Sequence, residues 1–512
     1  MRMRWWKVAV GLPCGLWACS GSTPPAADGA GGSLTPASGG MQAGGAQAAG
    51  GQLSAGGTGA GGWSGTGGEL GGAPNASGGS GALDVEGDNC TFSVTHEQSS
   101  AIGTVTIVTW SSDFQGTTAA HLEFGPTGSD LGLVAPADVP APTARTLLLG
   151  MKAGAAYSFR IVVDSGAGTC TSEELDLETG PVPEWVPVLT KTGGGDSAAV
   201  GYVVTSSGLA LTGESSLPSA FIFDTDGDVV WWIPEVIQNV TRATLSWDGR
   251  TMWFLNAYGA SIYSVSMDGL TIVEHPIDGG ADHDLTPLPD GSVAAIASGG
   301  GVDAVHAVLQ LRSDGTVTPI VDDLDELMEV NHPNALHYYQ ADDTLTLSDL
   351  EANAFVKFTR AGELVWQLGG ADPVGDFFDL VGLEPWDDNH GHHLLPDGGF
   401  LFFNNSFSLD PENNSAAIRL ELDEENWTAT KSWEYVYEPA RWSGQLGDVE
   451  QLPNGNVLVT NSNGGLIEEV SEGGEIVQAF DTLAWSMMTL SSDLAHFGYA
   501  NFRTSLYGPP PR

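Results

Sequence analysis

The chain has 512 residues, and its 64 Asp and Glu against 17 Lys and Arg give a formal net charge of −47. That length is too great for one ordinary domain, so two or more are expected. The charge excludes a nucleic-acid binder, whose phosphate contacts need Lys and Arg, and requires any anionic substrate to be met by a local cationic site.

The N-terminus reads as an export signal. Arg2, Arg4 and Lys7 precede an apolar stretch, residues 8–18, that is too short to span a bilayer as a stable helix. Leu16-Trp-Ala-Cys19 resembles a bacterial lipobox, which implies cleavage and lipidation of Cys19, so residues 1–19 are expected to be a lipoprotein signal peptide. Trp17 departs from that motif, and plain cleavage or an uncleaved anchor remain alternatives. With Cys14 removed and Cys19 lipidated, Cys90 and Cys170 are left to pair in an exported protein. No Cys-x-x-Cys or Cys/His metal spacing is present.

Residues 20–88 are almost wholly Gly, Ala, Ser, Thr and Pro, a composition that cannot bury enough apolar surface to offset its ordering entropy. A flexible linker is expected there. From residue 89 the pattern changes to alternating strands, as in Thr104-Val-Thr-Ile-Val-Thr-Trp110 and Tyr157-Ser-Phe-Arg-Ile-Val-Val163. The run from Leu147 to Ile161 resembles the fibronectin type III pattern, which implies an immunoglobulin-like β-sandwich over 89–180 with Cys90 and Cys170 tying its first strand to its last. Nothing in it suggests chemistry.

Residues 181–512 are repetitive. An apolar strand, a turn centred on Gly and a second strand recur from Phe221, Tyr263, Leu309, Val356 and Ile467, with a degenerate copy from Leu420. Between copies lies a second hairpin built on Leu-Pro-Asp-Gly or a variant. Two hairpins make a four-stranded blade, and the repeats predict a six-bladed β-propeller, so the chain is expected to be all-β. Asp-x-Asp-Gly at 224–227 lacks the remaining ligands of a calcium loop and reads as a hairpin turn.

Histidine recurs at one register of this repeat. His283 and His390 each stand seven residues before the turn residues Asp290 and Asp397, and His332 enters the intervening blade in a similar place. The first strand of each blade lines the central channel, so three successive blades present one imidazole each to a common funnel. Converging imidazoles ligate a metal, bind an oxyanion, or serve as nucleophile and acid–base pair. His392 and His393 alternate in facing beside His390, so at most one shares its direction. Trp386 and Tyr338 are placed either to stack on a ligand or to pack the core.

From about residue 181 to 510 the chain resembles the bacterial arylsulfate sulfotransferase family. The segments that carry the resemblance include Phe223-Asp-Thr-Asp-Gly-Asp-Val-Val-Trp231, His283-Asp-Leu, His332-Pro-Asn, His390 ahead of Leu-Leu-Pro-Asp-Gly, and Asn501-Phe-Arg-Thr-Ser-Leu-Tyr507. The resemblance implies sulfuryl transfer from a phenolic sulfate to a phenol, independent of PAPS, through a transiently sulfurylated His390. It implies that His283 and His332 bind the sulfuryl oxygens and assist proton transfer, and that Asn334 helps position them. No cofactor and no metal are implied. The partners are phenolic sulfates and phenols, with a membrane touched only through the lipid anchor of an exported, envelope-bound protein.

The chain departs from the family at one point. The family carries an arginine near the position of Leu350, where Ser348-Asp-Leu-Glu-Ala-Asn353 has no cation and sets Asp349 and Glu351 where they would repel sulfate. Arg441, Arg503 and Arg242 are the candidates to supply the missing charge. Two alternatives stand beside the transferase: a non-catalytic surface propeller that binds a ligand or partner, and a metal-dependent hydrolase using the three histidines.

Overall fold

The computed structural model describes residues 82–510 apart from 140–142, 187, 207–219, 234–236, 238, 258–260, 299–304, 372, 407–413 and 483–495. The expected signal peptide, Cys14, Cys19 and most of the expected linker lie outside the described residues. Order begins earlier than the composition suggested. Leu83–Glu86 is a strand paired antiparallel with Thr91–Gln98, and its alternation buries Val85.

Two sheets then share a core. One orders Leu83–Glu86, Thr91–Gln98, Thr106–Ser112 and Ala144–Leu148. The other orders Leu133–Pro136, Thr117–Pro126, Ala156–Ser165 and Gly168–Thr171, with Leu175–Glu178 also on Ala156–Ser165. Successive strand side chains point to opposite faces, so Phe92, Val94, Leu122, Phe124, Phe159 and Ile161 fall on inner faces and bury one another. Cys90 and Cys170 form the expected disulfide inside this core.

The rest of the chain is a succession of four-stranded antiparallel sheets, each strand paired to the next in sequence. Sheets begin at Val240–Leu245, Ala281–Pro287, Pro333–Tyr339, Asn389–Leu394 and Asp448–Gln451. Phe377–Val381 bridges two of them by parallel pairing with Leu364–Gly369 and Thr428–Val436. The Pro-Asp-Gly hairpins need a left-handed residue, which Gly291 and Gly398 supply at φ 83° and 88°. Among the described residues the helical content is one 3-10 turn, Leu324–Glu326.

Both ends of this region are clasped. The C-terminal strand Asn501–Arg503 pairs with Tyr202–Ser206 and becomes the first strand of a sheet completed by Ala220–Asp224 and Val229–Trp232. Thr190–Gly193 pairs with Ile476–Asp481 on the outer edge of the last sheet. The first strands pack side by side in order, and apolar side chains fill the space between neighbouring sheets, as where Phe355 meets Phe400 and Phe402.

The N-terminal sheets dock on the Asp-Gly turns of this region. Lys152 Nζ lies 2.7 Å from both Asp226 and Asp228 and 3.3 Å from Asp224, Arg145 pairs with Asp268, and Arg250 pairs with Asp138. Ile102, Val105 and Leu149 enter the core that holds Val203, Val230 and Phe502.

Candidate active site

Four of the inner strands start irregularly, and that irregularity aims the side chains. Register shifts fall between Val240 and Arg242, Ala281 and Leu285, Pro333 and Ala335, and Asn389 and His392. A bulge bends the strand and redirects the residue it adds. His283, Asn334 and His390 occupy the shifted positions. His283 is left-handed, φ 52°, as are Asn239 and Asp388 at 58° and 59°, each just ahead of an inner strand. For a residue with a Cβ this conformation costs on the order of 1–3 kcal/mol and persists where the surroundings impose it.

His283 and His332 meet directly, Nε2 to Nε2 at 3.0 Å, with ring centroids 4.7 Å apart. Behind them, Asp282 Oδ1 lies 2.7 Å from His283 Nδ1 and also accepts the His283 backbone N–H at 2.9 Å. Burial pushes the Asp282 carboxyl up, but the two imidazoles and the hydrogen bonds from His283 outweigh it and hold the group ionised below its ordinary range. Asp282 thereby presents a negative charge to the histidine pair.

His390 is fully buried and its Nδ1 is 2.8 Å from Asn405 Oδ1. The Asn405 amide nitrogen donates to the carbonyls of Ser443 at 2.7 Å and Leu446 at 2.8 Å, which fixes the amide with its oxygen toward the ring. Nδ1 of a neutral His390 must then carry the proton, and Nε2 carries the lone pair.

Asn334 joins the two histidine segments. Its Nδ2 donates to the Asn389 carbonyl at 2.6 Å, its own carbonyl accepts the Tyr499 hydroxyl at 2.6 Å, and its Oδ1 is buried with no partner among the described residues. Tyr499 lies 6.4 Å from His390, ring to ring. Asn389 is anchored in turn by Trp386, Ser348 and the Asp349 carbonyl. Trp386 is thus a packed support, and His392 is another, bonded to Thr346 at 2.8 Å and stacked on Phe400.

The acidic stretch after the His332 strand does not face the substrate as expected. The Asp349 carboxylate is fully buried and accepts the backbone N–H groups of Asn331, His332 and Ala352 at 2.8–2.9 Å, so it holds the His332 segment in place; Glu351 is exposed. A carboxylate with three backbone donors has its charge met inside the protein.

The three arginines go to different places. Arg242 is buried, with Nε 2.6 Å from Asp284 and Nη1 2.9 Å from Asp448, and stacks over Tyr499 at 4.3 Å. Two carboxylates already neutralise it, and through them it ties together the strands Val240–Leu245, Ala281–Pro287 and Asp448–Gln451. Burial pushes Asp448 up to about 6 despite the pull of Arg242. Arg503 lies at the other end of the inner strands, beside Glu450, where its guanidinium reaches the carbonyls of Ser505 and Gly508. Arg441 lies in the segment before Asp448–Gln451, two residues ahead of the Ser443 that secures Asn405, and its charge acts on Tyr435, Tyr437 and Glu468.

Among the described residues, the one cluster close enough to hold a metal is Asp224, Asp226 and Asp228, and the ammonium of Lys152 sits among them. Asn405 and Asp282 were not singled out by sequence. The signal for Asn405 was its place directly after an apolar second strand, where Asp349 and Asn461 also close second strands.

No curated protein sequence gives a match to the chain. Among solved structures it is similar to a Bacteroides caccae protein of unknown function at 12% identity, covering 59% of this chain and 98% of that one with a TM-score of 0.39. It is also similar to streptogramin B lyase at 14% identity, covering 58% and 88% with a TM-score of 0.37. Two family models, both described as Arylsulfotransferase (ASST), match residues 202–330 and 302–482. Those segments run through all three histidines and more than half of the chain, which belongs to the arylsulfotransferase (ASST) family of aryl-sulfate sulfotransferases.

Proposed function

We propose that this protein moves a sulfuryl group from a phenolic sulfate ester to a phenolic acceptor, without PAPS, through a sulfohistidine at His390. The observation that carries the reading is the Asn405 amide, whose orientation makes Nε2 the nucleophilic nitrogen. In the first half-reaction Nε2 attacks sulfur, the sulfur–aryl oxygen bond breaks, and the leaving phenolate takes a proton from the His283–His332 pair. In the second, the acceptor phenol returns a proton to that pair while its oxygen attacks sulfur and the Nε2–sulfur bond breaks. Donor and acceptor use the site in turn, so ping-pong kinetics follow.

A proton held between the paired imidazoles, with the Asp282 carboxylate behind it, takes the place of the family's arginine near Leu350, and Arg441 is the remaining cationic candidate. Asn334 Oδ1 is an acceptor of the kind a phenol O–H satisfies. The architecture that fits these sheets is a six-bladed propeller, closed by its C-terminal strand and preceded by a fibronectin III-like sandwich. The signal-like N-terminus supports export and a lipid anchor at Cys19.

The test is nitrophenol release from p-nitrophenyl sulfate, with and without phenol, beside His390→Ala. Release that requires phenol and disappears in the variant is expected. Release without phenol would mean hydrolysis. No release from well-folded protein would turn the reading toward a binding propeller.

A further inference from the structure

The inner strands have two ends, and the histidines use only one. At the opposite end, where these strands run into the Asp-Gly turns, lies a cavity of about 660 Å³. Residues 244–245, 247, 286–287, 337–341, 393–396, 450–453, 455 and 501–503 line it, so every inner strand contributes its C-terminal end. None of His283, His332 and His390 is among the lining residues, and the Arg242 ion pairs with Asp284 and Asp448 lie two residues ahead of the cavity lining on the same strands. The cavity is therefore distinct from the histidine site, and its size is that of a small-molecule pocket.

Its wall has a specific chemistry. Trp247 packs edge-on to Tyr338 at 5.7 Å between ring centroids, and Tyr339, Leu395 and Pro396 continue an apolar, aromatic side. His337 and His393 face each other at 4.0 Å, and burial keeps both imidazoles neutral. Arg503 brings the one positive charge of the lining. It is only 2% exposed, its two hydrogen bonds go to backbone carbonyls, and among the described residues it makes no ion pair. Glu450 is the one carboxylate of the lining, accepts the Phe502 N–H at 2.7 Å, and burial pushes it up to about 8. A buried guanidinium whose hydrogen bonds go to backbone carbonyls and which makes no ion pair among the described residues is a charge left for a ligand to meet.

We propose that this cavity is a second, non-catalytic binding site for a small aromatic oxyanion, with the ring against Trp247, Tyr338 and Tyr339 and the oxyanion on Arg503. Aryl carboxylates and aryl sulfates share that chemistry. The proposal does not depend on the route of sulfuryl transfer, because its residues are not those of the histidine site.

Equilibrium binding of benzoate to the purified protein tests it, with inorganic sulfate as the ring-free arm and p-nitrophenyl sulfate on the His390→Ala variant as the ester arm. One equivalent of benzoate is expected to bind. Its affinity should fall about tenfold or more in Arg503→Gln, the loss of a charge-assisted pair, and should fall in Trp247→Ala, while His283→Ala leaves it unchanged. For the ester, a second equivalent that disappears in His390→Ala/Trp247→Ala supports the site. Three results would overturn the proposal: no benzoate bound by folded protein at millimolar concentration, full binding in Arg503→Gln, or binding lost in His283→Ala. Inorganic sulfate that binds as tightly as benzoate would overturn the aromatic part. Should Arg503→Gln fail to fold, Trp247→Ala, at a half-buried position, carries the same decision: full benzoate binding in that variant overturns the aromatic contact.

Discussion

At His390 one amide decides which ring nitrogen carries the lone pair. Replacing Asn405 with Ala removes the acceptor that holds the Nδ1 proton and leaves the ring free to change tautomer. Loss of such an orienting partner typically costs 10–100-fold, and here kcat of phenol-dependent release should fall by about that factor with KM little changed. Thermal unfolding of the variant separates this from misfolding. Arg441→Ala has a different expected signature. A cation that meets the sulfuryl oxygens in both ground and transition states, once removed, should raise KM for p-nitrophenyl sulfate and weaken its salt dependence. An unchanged KM would remove Arg441 from the site. Histidines at a repeated register were legible in the sequence because position in a repeat is itself information. Asp349 was misread because charge is visible in a sequence and hydrogen bonding is not: three backbone N–H groups turn a feared repulsion into a support.

The strand that carries His390 shows why an element can be recognised while its detail cannot. Alternation and the Asp-Gly turn fix the strand Asn389–Leu394, but nothing in the pattern announces the register shift that turns His390 to Asn405 and His392 to Thr346. Gly391 marks that shift. Its N–H donates to the Gly447 carbonyl at 3.0 Å, and a Cβ there would overlap the Asp448 carboxylate that pairs with Arg242. Gly391→Ala must push Asp448 off Arg242 or displace the strand. Overpacking of this kind costs typically 1–3 kcal/mol, so a lower Tm together with a large loss of activity is expected. A Tm equal to wild type would mean that the strand and the Asp448 side chain accommodate a methyl group without loss. Arg242 belongs to the same lesson. As an arginine on an inner strand it was a fair candidate for sulfate, yet the fold brings to it two aspartates that lie 42 and 206 residues away in sequence.

Across the whole molecule, the sheet repeat was legible because period-2 alternation and turn chemistry are local, whereas the docking of the N-terminal sheets was not. Lys152 meets Asp226 and Asp228 from 74 and 76 residues away in sequence, and the motif that hinted at calcium proves to hold an ammonium. The net charge of −47 is likewise a property of the whole, and with the buried carboxyls it sets a pH dependence. Glu450, held up to about 8 by burial, faces the Phe502 N–H, Asp448 and the guanidinium groups of Arg242 and Arg503. Asp448 is held up to about 6. Each folded-state value lies above the unfolded one, so between them the native state binds more protons than the unfolded state, and stability present at low pH is lost as pH rises through the folded value. For Glu450 that window runs from its ordinary value of 4.5 to about 8. Repulsion among the surface carboxylates acts in the same direction as they ionise, and salt screens it. Buried histidines such as His337, His392 and His393, lowered from 6.5, act in the opposite direction below that value, so the Tm should fall only from pH 7 to pH 8, and Glu450→Gln should flatten that fall. A wild-type Tm that instead rises across this range would show that Glu450 is ionised in the folded protein, with Arg503 as its partner.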